Sequence, residues 1–425
     1  MHKKLLFCLI LIISRGSQAQ NTQFAQASSM QEVVAKAILE RKMIFVDCFA
    51  SWCLPCKKMD DSVYTDTGVA AELDRDFICV KVQMDSTGRD NAMTKAWYQE
   101  ADDIQRRYVI QAYPSFLFLS STGEIVHRAF GYMAPGEFIR LLKSSQDSNL
   151  QYYTLLHQYV EGGRNFGQLK YLANLCQSLG DDTLAYRVAS DYIDGYLMHI
   201  DQVKLFTLEN FQFIGNFTEH SSDRWFHFFR DKSAMIDSMF HKGYCREMVD
   251  YVITKEEIEP VIWGRGGIGE KLIKPNWETI IENISRKYSL DYAERTVINA
   301  KIRWYTYNKD WPHIIESNVE KVDRFGVDTA GWGRYFLNNM IWEVIFLHTN
   351  KRAILRKGIK WEGMLLRADP ENIAAMDTYA NLLYKTGKRR QALNWELKAA
   401  RLDPGNKDIA MNYDKMKKGD PTWTQ

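Results

Sequence analysis

Hydrophobic and polar positions follow two rhythms along this chain, and the change falls near residue 147. The first part mixes periods. Ser29-Met30-Gln31-Glu32 has capping-box spacing and predicts a helix running through Arg41. Met43 to Phe49 is apolar and rich in β-formers, broken only by Asp47, and predicts a buried strand. From Leu54 onward the chain reads as helix. "FICVKVQM" (Phe77 to Met84) alternates like a strand, and Asn91 to Tyr108 reads as one helix. Ser115 to Leu119 and Glu124 to Phe130, joined through Ser121-Thr122-Gly123, predict a β-hairpin. Ala134-Pro135-Gly136 leads into a last helix ending near Ser145. Strands alternating with helices and closed by an antiparallel hairpin predict a compact α/β layer fold.

After "SSQDSN" (Ser144 to Asn149) the strand-like alternation fades, and runs such as "LLHQYV" and "YLANLC" carry helical periodicity. This second rhythm predicts an all-α region. Its clearest long loop is "WGRGGIGEKLIKP" (Trp263 to Pro275). Those glycines follow no predicted strand and lack GxGxxG spacing, so they are not a nucleotide fingerprint. Near the C-terminus Pro370 and Pro404 lie 34 residues apart, the period of tetratricopeptide helix pairs. On that frame Ala380, Gly387, Ala392 and Ala399 occupy positions where two helices approach closely, and Trp342 takes the aromatic position of the preceding unit. Phe346 and Gly358 fit that earlier unit less well. Residues 339–406 thus resemble a degenerate tetratricopeptide pair. Two units are too few for a free-standing solenoid, so they should pack on the helices upstream. The expected organisation is a leader over 1–19, an α/β domain over 20–147, a helical region over 148–335 and tetratricopeptide-like hairpins over 336–425.

Composition narrows the function classes. Lys+Arg of 55 against Asp+Glu of 53 leaves a net charge of +2, which supplies no field for nucleic acid or an anionic membrane. The 13% aromatic content is read as helix cores packed with Tyr and Trp. At the N-terminus Lys3 and Lys4 precede the apolar run Leu5 to Ile13 and the small-x-small site Ser17-Gln18-Ala19. That pattern predicts a secretory signal peptide cleaved after Ala19, the run being far below the roughly 20 residues of a membrane span. The mature chain is expected to lack a membrane span and to work outside the cytoplasm, most simply in a periplasm. Export permits disulfides. Cys48, Cys79, Cys176 and Cys245 are scattered and read as small buried hydrophobes. For Cys48 and Cys79, on predicted adjacent strands, a structural bridge stays open.

The chemistry concentrates at Cys53-Leu54-Pro55-Cys56, where strand gives way to helix. A cysteine at a helix N-terminus meets unpaired amides and the positive end of the dipole, which favour its thiolate. Cys53 would attack a disulfide and Cys56, one turn on, would resolve the mixed disulfide. Lys57 and Lys58 add positive charge nearby. Two other readings compete. A zinc site needs four ligands, and no second CxxC or His pair accompanies this one; His127 and His157 show no ligand spacing. A purely structural disulfide would leave the flanking residues unexplained.

Those flanking residues carry a resemblance. "FVDCFASWCLPCK" resembles the active-site segment of the thioredoxin family, through its strand, Ala50, Trp52, Pro55 and Lys57. Asp47 falls on the family's buried carboxylate, which handles the proton of the resolving cysteine. "VIQAYPSFLFL" resembles the family segment whose proline is cis and faces the cysteines, which implies a cis Tyr113–Pro114 bond and pairing of the Tyr113 backbone with an extended substrate. Gly131 fits as well. The resemblance covers about 24–145 and implies a thioredoxin-like fold whose redox agent is the Cys53–Cys56 pair itself, with no cofactor and no metal. "MDDSVYTDTGVAAEL" is similar to exported thioredoxin-like domains and to the soluble domains of membrane thiol reductases. The chain departs from thioredoxin at Leu54, where that family has glycine, at Phe49, where many members have Trp, and in a Ser86–Tyr108 insertion. Leu54 and Pro55 together tune the reduction potential.

The expected function is thus an exported thiol–disulfide oxidoreductase that reduces or exchanges disulfides in client proteins. Cys53 is nucleophile, Cys56 resolves, Asp47 moves the proton, and Trp52, Tyr113 and Pro114 meet the client. A membrane thiol reductase would supply electrons. The alternatives are a disulfide oxidase or isomerase, and a partner-binding helical scaffold with an ancillary redox domain.

Overall fold

The computed structural model describes residues 22, 24–263, 274–329 and 331–423. The expected leader, and all of the Trp263–Pro275 loop except its ends, lie outside them. Contacts divide the chain into two units, Met1–Phe217 and Thr218–Gln425.

The first unit opens with α1 (Met30–Glu40), β1 (Met43–Phe49), α2 (Leu54–Lys58), α3 (Thr67–Asp76) and β2 (Phe77–Gln83). It continues with α4 (Ala92–Ala96), α5 (Tyr98–Tyr108), β3 (Ser115–Leu119), β4 (Ile125–Phe130) and α6 (Pro135–Ser144). The Ser29 side chain caps α1 on the Glu32 amide, as the capping box requires. The strands form one sheet in the order β2-β1-β3-β4, parallel between β1 and β2 and antiparallel elsewhere. The α/β layer fold expected from the pattern is therefore present. The central strands β1 and β3 are buried along almost their whole length because both of their faces are covered. Ile44, Val46, Leu117 and Val80 pack with Val33, Ala37, Trp97 and Ile104 on one side. Phe45, Phe116 and Phe118 pack with Met59, Leu73, Phe138 and Leu142 on the other.

The structure corrects one local expectation and closes one open alternative. The helix over Asn91–Tyr108 breaks at Trp97, which turns into the core and donates its indole N–H to the Ala27 carbonyl at 2.8 Å. Cys48 and Cys79 are free and buried, and no bridge joins them. Parallel register pairs Cys79 with Phe45, three residues from Cys48, so the two thiols fall on opposite faces of the sheet.

Helices begin after residue 147 as the pattern predicts: α7 (Tyr152–Val160), α8 (Phe166–Ser178), α9 (Asp182–Gly195), α10 (Gln202–Leu205) and α11 (Leu208–Asn216). They group with the sheet. The segment α7 packs on the edge strand β4, and the buried ring of His127 accepts the Tyr152 amide at 2.9 Å. Burial pushes His127 down to about 4, so it serves this contact as a neutral acceptor.

The second unit is helical: α12 (Phe226–Asp231), α13 (Ser233–Met239), α14 (Tyr244–Ile253), α15 (Glu259–Ile262), α16 (Trp277–Lys287), α17 (Leu290–Tyr307) and α18 (Trp311–Phe325). It ends in α19 (Gly331–Met340), α20 (Arg352–Ala368), α21 (Ile373–Lys385), α22 (Arg389–Leu402) and α23 (Lys407–Lys418). Arg295 on α17 grips Asp250 on α14 through two hydrogen bonds of 2.6 and 2.7 Å. Helices α20 to α23 pack in sequence, each on the next. Ala380, Ala392 and Ala399 are fully buried there, at the positions the 34-residue frame assigned to close approach. Gly387 sits in the turn between α21 and α22 with φ of 88°, a conformation that favours glycine.

Candidate active site

Cys53 and Cys56 are joined in a disulfide at the start of α2. The sequence places them there for local reasons. Strand β1 ends at Phe49, the Cys53 amide closes a turn onto the Ala50 carbonyl at 3.0 Å, and Pro55 starts a helix without losing a needed donor. Ser51 is tied to Asp85 through both its amide (2.8 Å) and its hydroxyl (2.5 Å), which holds the approach loop. Cys53 caps the helix: its sulfur accepts the Cys56 amide at 3.1 Å. A π-helical turn, Met59–Val63, continues α2.

Both cysteines are almost fully covered, at 2% and 3% exposure, while Trp52 (68%) and Leu54 (72%) stand out around them. The Tyr113–Pro114 bond is cis, as expected. Tyr113 packs on the cysteine cluster with Ala50 and Phe49, and its ring meets that of Trp52 edge-on at 5.9 Å. The Pro114 carbonyl accepts the Gly131 amide at 2.8 Å, and Gly131 has φ of 89°. The structure thus brings Trp52, Cys53, Cys56 and Tyr113 together, with Leu54 and Pro55 at the exposed start of the helix.

Asp47 lies in β1, 1% exposed, and neither of its oxygens has a hydrogen-bond partner of good geometry. Burial pushes its carboxyl up to about 6, and the Lys81 ammonium, 3.5 Å away, limits the rise. Lys81 is the residue that sequence reasoning missed. It is the direct β2 partner of Asp47 in the parallel register. Its ammonium also bonds Asp60 and lies over the rings of Phe49 (4.8 Å), Phe24 (5.4 Å) and Tyr64 (5.6 Å). A cation in that setting gains from the ring faces and from both carboxylates. The available signal was a single lysine inside the otherwise apolar alternation of "FICVKVQM". Among the described residues no group of three or more His, Cys, Asp or Glu could hold a metal ion.

Fold and site together define a thioredoxin-like domain carrying a CxxC pair. The model of the thioredoxin-like domain family matches residues 30–146. The chain is similar to the thiol:disulfide interchange protein DsbD of Colwellia psychrerythraea, 29% identical over 133 residues, which cover 30% of this chain and 20% of that one. The DsbD of Actinobacillus pleuropneumoniae is 21% identical over 141 residues, covering 31% and 22%. The chain thus spans about a fifth of the length of these curated relatives. A Bacteroides thetaiotaomicron protein, provisionally named a disulphide-isomerase, has a solution structure 32% identical to this chain. The match covers 31% of this chain and 98% of that one, with a TM-score of 0.27.

Proposed function

We propose that this protein is an exported thiol–disulfide oxidoreductase that reduces disulfides in client proteins. The observation that carries the reading is the Cys53–Cys56 pair at a helix start, capped by the Cys56 amide and set against the cis Tyr113–Pro114 segment. In the reduced protein the Cys53 thiolate attacks one sulfur of the client disulfide. A new S–S bond forms, the client bond breaks, and the departing client sulfur takes a proton. Asp47 then accepts the proton of the Cys56 thiol, and the Cys56 thiolate attacks the Cys53 sulfur. The second client thiol leaves, and the protein is left with the Cys53–Cys56 disulfide. Two electrons have passed to the client, so a dithiol donor must restore the pair. A membrane thiol reductase fits that need, and the relatives named for thiol:disulfide interchange support it.

Export rests on the sequence pattern of Lys3-Lys4, Leu5 to Ile13 and Ser17-Gln18-Ala19. Among the described residues no helix is long and apolar enough to cross a membrane.

Reduction of insulin disulfides by the purified chain tests the reading. Wild type should exceed Cys53→Ser by at least about a hundredfold, since the nucleophile is the only route to the mixed disulfide. Equal rates would overturn it. Direction is tested by equilibrating the pair with glutathione: a potential near about −270 mV, as for thioredoxin, marks a reductant, and one near about −120 mV an oxidant.

A further inference from the structure

A small pocket lies at the active-site end of the sheet, and the reaction above leaves it unused. Strand register sets its place. Cys48, five residues before Cys53, pairs with Ser115, and Ser115 pairs with Phe130. Around these two residues a cavity of about 240 Å³ is bounded by the Val109–Ala112 loop that enters the cis bond, by Arg128, and by Leu179 and Gly180 from the turn between α8 and α9. Leu179 and Gly180 lie beyond residue 146, where the family match ends. The helical extension therefore supplies a wall that the redox domain alone does not have.

Three features give the pocket a class of ligand. Its volume falls below the roughly 300 Å³ at which small-molecule and cofactor sites begin, so it suits a single side chain. Its walls are mainly apolar, through Val109, Ile110, Phe130 and Leu179, and the guanidinium of Arg128 is engaged by the Tyr108 carbonyl at 2.9 Å. Ala112 and Ser115, the residues flanking the cis Tyr113–Pro114 bond, both line it, and an extended client pairing with the Tyr113 backbone would pass beside them. In an extended peptide every second side chain falls on the same face, so residues flanking the reacting cysteine reach it.

Val109 adds a separate argument. It caps α5 with φ of 48° and ψ of 58°, a left-handed conformation that is strained for a β-branched residue. Glycine or asparagine closes such helices without that strain. Its side chain is 57% exposed, so the core does not require it. A strained position on the pocket mouth thus carries an apolar group.

We propose that this pocket receives an apolar side chain flanking the client cysteine that Cys53 attacks, so that the α8–α9 turn selects disulfides in apolar sequence context. The inference rests on the reductase reading. Its test uses the full chain, two peptide disulfides of equal charge with Leu or Asn beside the cysteine, and bis(2-hydroxyethyl) disulfide. Wild type should favour the Leu peptide in kcat/KM by about tenfold, the scale of one buried aliphatic group. Leu179→Asp and Val109→Gly should each bring that ratio within about twofold, mainly through KM. Val109→Gly relieves the left-handed strain, so its loss of preference cannot be blamed on misfolding. Equal wild-type rates for the two peptides, or a preference retained in both variants, overturns the pocket as selector while the reductase reading stands. No wild-type turnover of any of the three disulfides overturns the reductase reading, and the pocket's role with it.

Discussion

The two units both bury carboxyl groups, and they treat them in opposite ways. In the thioredoxin-like domain Asp47 is fully enclosed, yet a cation sits 3.5 Å away and the carboxyl is pushed up only to about 6. Among the terminal hairpins Glu396 on α22 is equally enclosed, and neither of its oxygens has a hydrogen-bond partner. Burial, and then the neighbouring Asp377, push it up to about 10. Glu362 on α20 is pushed up to about 9 by burial alone. Desolvation acts in both places; the half-buried Lys81, and after it Tyr64, is the difference. A carboxyl poised near 6 can take up and release a proton near neutral pH, which suits the proposed role in activating Cys56. Carboxyls held near 9 and 10 stay protonated there and act as packing groups.

Changing the partners would break or sharpen this contrast, and the largest effect belongs to Asp47. Asp47→Asn should slow resolution of the mixed disulfide by about tenfold to a hundredfold at pH 7, measured as single-turnover release of a trapped client. The same change should stabilise the domain. Folded Asp47 binds its proton up to about pH 6, whereas unfolded it releases it near 3.8, so stability falls as pH rises between those values. The loss is complete above pH 6, and the asparagine should recover about 2–3 kcal/mol at pH 8 by denaturant unfolding. An unchanged stability would mean that Asp47 is not held under desolvation.

Lys81→Met should come next. It removes the charge that limits the rise, so the acid limb of the pH–rate profile should move up by about one unit or more. A profile that stays in place would detach Lys81 from the proton step.

Glu396→Gln should leave disulfide turnover unaltered and change only stability. Because folded Glu396 keeps its proton to about pH 10 while the unfolded group releases it near 4.5, the second unit should lose stability as pH rises across that window. The slope is on the order of 1 kcal/mol per pH unit, and the glutamine should flatten it. A slope that persists would move the effect to Glu362. The smallest change is Gly387→Ala, at φ of 88°, which should cost about 1 kcal/mol in the same hairpins and leave the pH slope intact.

Much of this site could be read from the chain, because its parts are local or typed. The CxxC pair, Pro55 and the flanking Trp52 fall within one segment, and a carboxylate inside an apolar strand stands out at once. The scattered cysteines were harder. Cys48 and Cys79 sit on neighbouring strands, and only the register of β1 against β2 puts them on opposite faces. The helix expected over Asn91–Tyr108 kept its periodicity through Trp97, yet the ring's need for a buried place and a carbonyl partner breaks it there.

Sequence by itself determined the sheet-and-helix alternation of the first part, the CxxC pair at a strand-to-helix turn and the helical periodicity after residue 147, while the cis proline followed from the family resemblance. Period, turn chemistry and capping are properties of neighbouring residues, so they are written where they act. Only tertiary structure decided that Lys81 faces Asp47, that α7 to α11 group with the sheet, and that Leu179 closes a pocket against the Val109–Ala112 loop. Those are contacts between segments tens of residues apart. They follow from strand register and helix packing, which no local pattern encodes.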